Sequence, residues 1–231
     1  MEYQYTYFFM ALLFFIVWLL LFLWRKDTRK EMLVMSFVLA LGGPISDILY
    51  TQDWWRPITL TYTRIGPESL IVGFMIGGIS AVIYEDFFKK RIKIRKVSKN
   101  RKGKENLSLV LILSLLIVLF FGSFYLFKFN SLLATSFAFL IPTFLIWIKR
   151  KDLIVDSLFT GVVLVIVACF VYSALEFLTP GWIQAFWYFK NVPNVVFFNL
   201  PLDDIIWYFL AGLFIAPLYE FWKEETFIAE K

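Results

Sequence analysis

The chain has 231 residues, is 60% hydrophobic and 21% aromatic, and has a mean hydropathy of +0.73, well above the roughly half-apolar mix of a water-soluble domain. Its formal charge of +5 does not point to nucleic acid, because the basic residues sit in short segments between apolar runs. There is no histidine and one cysteine, Cys169, which excludes histidine-box oxidation, histidine-ligated haem, cysteine metal sites, intrachain disulfides and imidazole-assisted nucleophiles.

About 20 helical residues cross a hydrocarbon core of about 30 Å. Seven windows of that kind are predicted, at 5–24, 32–50, 68–88, 107–127, 131–148, 153–177 and 203–222. The first is too long for a signal-peptide core and lacks a small-residue cleavage site, so it reads as helix one. The segments after the odd-numbered windows carry nineteen Lys and Arg, and those after the even-numbered ones carry four: Arg56, Arg64, Lys128 and Lys190. Positive-inside sorting then sets the amino terminus outside and the carboxyl terminus in the cytoplasm of a multi-pass cell-membrane protein. The long basic loop after window three also suits anionic lipid headgroups.

Window three and window seven echo one another. "PESLIVGFMIGGISAVIYEDF" (67–87) and "LDDIIWYFLAGLFIAPLYEFW" (202–222) align at an offset of 135, pairing Glu68 with Asp203, Phe74 with Phe209, Gly77 with Gly212, Tyr84 with Tyr219 and Glu85 with Glu220. Both run the same way under the topology above, so the repeats are parallel and not inverted. A second echo, "GPISDILY" against "VYSALEFL", places Asp47 and Glu176 at matching outer ends. The expected fold is an all-α integral membrane protein with seven transmembrane helices, two parallel three-helix repeats and a linker helix. Residues 1–106 form the first repeat with its basic cytoplasmic loop, 107–130 the linker and 131–231 the second repeat.

Two aromatic connectors, "TQDWWRPITLTYTRIGP" and "TPGWIQAFWYFKNVPNVVFFNLP", each end at a proline near an acid. They suit an interfacial aromatic belt, and equally the wall of a shared pocket. Pro67 with Glu68, and Asn199, Pro201, Asp203 and Asp204, read as helix starts that cap and complement the dipole. Gly77 and Gly212 suit close helix packing. If helices three and seven meet there, Glu68 and Asp203 enter one outer cavity, joined by Asp47 and Glu176. Carboxyls gathered in a low-dielectric mouth repel one another when ionised, whereas the helix dipole favours the anion. Asp203 is the expected acid, with Asp204 its partner or the helix cap, since consecutive residues point about 100° apart. Tyr84, Glu85, Tyr219 and Glu220 are expected to anchor the cytoplasmic interface.

With these residues the chain resembles the integral-membrane lycopene cyclase domain family, whose members carry duplicated three-helix halves and a Pro-x-Glu/Asp-Glu type motif after an aromatic connector. "PLDD", Pro201 to Asp204, fits that motif, and "DWWRP" followed by "GPES" is similar to its first-half counterpart. The first half reads Pro-Glu-Ser, so one motif is intact. The resemblance implies cyclisation of an acyclic carotenoid or other polyprenyl chain drawn from the bilayer, by acid–base isomerisation without net redox change. Asp203, Asp204 and Glu68 would act as acid or base, and Trp54, Trp55, Trp187 and Tyr188 would steady the cation. No metal or cofactor is implied, and no glycine-rich dinucleotide fingerprint is present.

The rival readings are a proton-coupled carrier with parallel repeats and a non-catalytic membrane scaffold. Small sugar transporters of the SWEET type carry a Pro-Gln pair in each half, which this chain lacks. Window seven has no lysine for a retinal Schiff base. Asp152 and Asp156, the nearest pair to a magnesium-diphosphate motif, have no second copy.

Overall fold

The computed structural model describes residues 3–88, 90–94, 102–223 and 225–229. Ten helices follow one another among these: α1 (Thr6–Trp24), α2 (Arg29–Ala40), α3 (Gly42–Asp53), α4 (Pro67–Phe88), α5 (Lys102–Tyr125), α6 (Ser131–Lys149), α7 (Ile154–Leu178), α8 (Trp182–Phe186), α9 (Leu202–Ile215) and α10 (Leu218–Lys223). Six spans are long and apolar enough to cross a membrane, and the bent pair α2–α3 makes a seventh if taken as one. The protein is an all-α membrane protein. Large apolar side chains face outward, Phe170 at 74% exposure and Phe177 at 86%, as a lipid-facing surface requires.

The second predicted span differs from expectation in being broken, with a bend of 40° between α2 and α3. Its cause is local: in Gly42-Gly43-Pro44, proline lacks an N–H and its ring collides with the carbonyl four residues back, which is Ala40, the last residue of α2. Pro217 interrupts the last span in the same way, between α9 and α10. α4 opens on Pro67 and α9 directly after Pro201, where the missing N–H costs nothing. Asn130 caps α6, its side chain accepting from the amide of Leu133 at 2.8 Å.

α4 packs on α1, α2 and α3, and α9 on α6 and α7, while α5 lies along α6 and α10. The paired glycines act within these groups and not between them. A Cβ on Gly77 would stand 2.8 Å from the carbonyl of Met35 in α2, and one on Gly212 would stand 2.6 Å from Cα of Gly161 in α7. Each glycine thus lets its helix press against an earlier one, Gly77 against α2 and Gly212 against α7, and α4 also touches α9.

Two short antiparallel ladders complete the fold. β1 (Lys90–Ile94) pairs with β4 (Glu225–Ala229), in register from Lys90 opposite Ala229 to Ile94 opposite Glu225. β2 (Val196–Phe197) pairs with β3 (Leu200–Pro201) through Phe198 and Asn199, both at positive φ, as a two-residue hairpin turn requires. That hairpin delivers the chain into α9.

Candidate functional site

At the end of the bundle where α3 stops and α4 and α9 begin, the two aromatic connectors meet. Trp55 and Trp187 form an antiparallel bridge, in which Arg56 donates its amide to the carbonyl of Phe186 at 2.7 Å and Tyr188 donates to Trp54 at 2.9 Å. Two connectors 132 residues apart are thereby held in one register, and their indoles turn to a common interior.

That interior is a chamber of about 330 Å³, within the range of about 300–1,000 Å³ usual for small-molecule sites. Aromatic side chains wall it: Trp55 lies edge-on to Tyr7 at 4.9 Å between ring centroids and packs on Trp187 at 5.2 Å. Aliphatic residues of the α2–α3 bend and of α5 close the far side, among them Leu41 and Ile117, which are also exposed on the outside of the bundle.

Two carboxyls enter this apolar space. Asp204, in the first turn of α9, is fully furnished with donors. Tyr172 of α7 donates to its Oδ2 at 2.5 Å, and Trp54 and Trp187 direct their indole N–H groups at Oδ1 from 3.1 and 3.4 Å. Tyr208 donates in turn to the Tyr172 hydroxyl at 3.4 Å. Asp47 of α3 forms the second centre: Ser69 donates to its Oδ2, and Tyr7 of α1 donates to Ser69 at 3.1 Å. Trp54 of the first connector donates to the acid that follows the second, so the Asp204 centre draws on both connectors.

Among the residues singled out from sequence, Trp54, Trp55, Trp187, Asp47 and Asp204 line the chamber. Glu68, Asp203, Glu176 and Tyr188 lie elsewhere. Glu68 is wholly buried behind the wall and accepts from the amide of Leu60 at 2.6 Å, fastening the first connector. Asp203 accepts from the amide of Asp204 at 3.1 Å, as an acid at a helix start does. Glu176 turns back onto the amide of Gly181 at 2.8 Å, beyond the end of α7. Tyr188 faces outward under the ammonium of Lys190, 4.9 Å from its ring centroid.

Sequence reasoning passed over the hydroxyls, Tyr7, Ser69, Tyr172 and Tyr208. For Ser69 the signal was present, since the offset of 135 sets it against Asp204. One register of the echo, Glu68 with Asp203, stands behind the wall, and the next, Ser69 with Asp204, faces the chamber.

A helical membrane bundle with an aromatic, apolar chamber and two hydrogen-bonded carboxyls defines the class: a multi-pass membrane protein with an enclosed apolar chamber. Residues 130–222 match the family model described as lycopene cyclase, a stretch that takes in α6, α7, α9 and the Asp204 centre. No curated protein and no solved structure gives a significant match.

Proposed function

We propose that the protein is a membrane-embedded carotenoid end-group cyclase that isomerises an acyclic carotenoid without net redox change. One observation carries the reading: Asp204 and Asp47 open into the same aromatic chamber, one of them in the stretch that matches the cyclase family. In this reaction the Asp204 carboxyl gives its proton to the terminal C=C bond of the polyene, leaving a tertiary cation. The neighbouring double bond attacks that cation, a C–C bond closes the ring, and the positive charge moves to the next ring carbon. Asp47 then removes a proton from the adjacent carbon, a double bond forms, and the product is an isomer of the substrate. Atoms and electrons balance within the substrate, and the proton gained by Asp47 returns to Asp204 by exchange. Tyr172, Trp54 and Trp187 steady the carboxylate as its proton departs. The faces of Trp55, Trp187 and Tyr7 shelter the cation.

We also assign residues 1–106 and 131–231 to two parallel repeats joined by the linker 107–130, with the amino terminus outside. In support, Gly77 and Gly212 brace equivalent helix pairs. Likewise, Arg25 after α1 and Arg150 after α6 each pair with the aspartate two residues on.

Expression in a lycopene-accumulating bacterium, with pigments resolved by chromatography, tests the activity. Wild type yields cyclic end groups and Asp204→Asn abolishes them at equal protein level. Unaltered lycopene with well-expressed wild type overturns the assignment.

A further inference from the structure

A second group of acids lies at the opposite end of the bundle. Ser69 and Glu85 are sixteen residues apart on α4, about 24 Å at helical rise. There Glu31 of α2, Glu85 of α4 and Glu220 of α10 each bring a carboxylate oxygen within 4.8 Å of the other two. Glu85 and Glu220 are 1% and 0% exposed, in the interior and not at the interface where sequence placed them. Asp156, in the first turn of α7, is buried and acts electrostatically on both.

No backbone amide, hydroxyl or cation among the described residues donates to the four side-chain oxygens of Glu85 and Glu220; Glu85 meets the Glu220 carboxyl, and Glu220 that of Glu31. The guanidinium of Arg25 donates to the backbone carbonyl of Glu85 at 2.5 Å, and that of Arg150 to the carbonyl of Glu220 at 3.2 Å. These contacts hold the two backbones in place and leave the carboxylate oxygens turned inward. Buried carboxylates need compensation by a paired charge or a metal ion.

We propose that Glu31, Glu85 and Glu220 bind a divalent cation of the Mg²⁺, Mn²⁺ or Ca²⁺ class. The donor set is all oxygen, which hard cations select. Imidazole is absent from the chain and the lone thiol, Cys169, lies mid-way along α7, so the set does not suit zinc or iron. Oxygens on opposite sides of such an ion stand about 4.0–5.2 Å apart, twice a metal–oxygen distance of about 2.0–2.6 Å, and the three oxygens, all within 4.8 Å of one another, are close enough to share one. The ligands come from α2, α4 and α10, so the ion ties the last helix to two early ones.

Full-length protein in detergent, stripped with EDTA and titrated with MnCl₂ under electron paramagnetic resonance, tests the site. One Mn²⁺ binds per chain, EDTA lowers the melting temperature, and Mg²⁺ restores it. Glu85→Gln and Glu220→Gln weaken Mn²⁺ binding at least about tenfold, and Asp204→Asn, which alters the chamber alone, leaves it unchanged. Should the glutamine variants not fold, Glu220→Asp and wild-type chelation decide the matter. Folded wild type that binds no Mn²⁺ and melts identically with EDTA and with Mg²⁺ overturns the proposal, whatever the pigment assay gives.

Discussion

Asp204 and Asp203 are adjacent, yet one helical step sends the first among Tyr172, Trp54 and Trp187 and the second back onto the helix start. A hydrogen bond to a carboxyl strengthens as that group becomes an anion, so the three donors favour the moment when Asp204 releases its proton. Tyr172 makes the shortest of the three contacts. A hydrogen bond to a charged group contributes about 1.5–3 kcal/mol, so Tyr172→Phe is expected to slow turnover by about ten- to a hundredfold with the fold retained. Asp203→Asn, which removes a negative charge from the first turn of α9, is expected to cost about 0.3–1 kcal/mol of stability with cyclic pigment still formed. Equal loss of turnover in both variants, measured on protein of matched yield, would remove Asp204 from the centre of the chemistry. The acid pair was legible in sequence as a motif, whereas its phase was not, because a helix start tolerates an acid on either side. Tyr7 and Tyr172 were illegible for another reason: nothing in the neighbouring residues marks either hydroxyl, and its partners lie 62 and 32 residues away.

At the scale of elements, the spans were readable to within a few residues, because length and apolarity are set by the bilayer. What sequence left open was which helix each glycine faces. The contact of α7 with α9 shows why this matters, since the three atoms nearest a Cβ on Gly212 are all backbone, of Gly161 and Thr160, and none is a side chain that can rotate away. Gly212→Ala would place its methyl 2.6 Å from Cα of Gly161, and the two helices must part. Overpacking of this kind costs about 1–3 kcal/mol. The shift would also draw Asp204 on α9 away from Tyr172 on α7, so cyclisation falls along with the melting temperature. Gly122, in α5, offers a matched control: no heavy atom stands within 4 Å of a Cβ built there, and alanine is the better helix former by about 1 kcal/mol. Gly122→Ala is therefore expected to melt no lower than wild type. Identical behaviour of the two alanine variants would show that the α7–α9 approach is not tight.

For the whole molecule, the bend between α2 and α3 gives the chamber its side. Gly42-Gly43-Pro44 was visible in sequence, but within an apolar run it reads as part of one span, and only the break reveals that Leu41 faces both the chamber and the exterior. Ile117 of α5 does the same across from it, at 44% exposure against 61% for Leu41. Both exposed faces are apolar, Ile117 within a candidate span and Leu41 at the break of the bent one, so an opening between them would meet acyl chains. On the proposed function, a long polyene would place one end beside Asp204 while its remainder stays in the bilayer, and the chamber would hold only the ring being formed. The opening would then govern capture and Asp204 the chemistry, and the two would separate kinetically. Ile117→Trp narrows the opening without touching the hydrogen bonds of Asp204 or Asp47. In proteoliposomes with substrate dissolved in the lipid, it is expected to raise KM several-fold with kcat close to wild type, the opposite of Tyr172→Phe. A loss confined to kcat would mean that the Trp side chain had entered the chamber itself. No change in either constant would mean that the polyene arrives by another route, such as the connector end, where Trp55 and Trp187 would have to part.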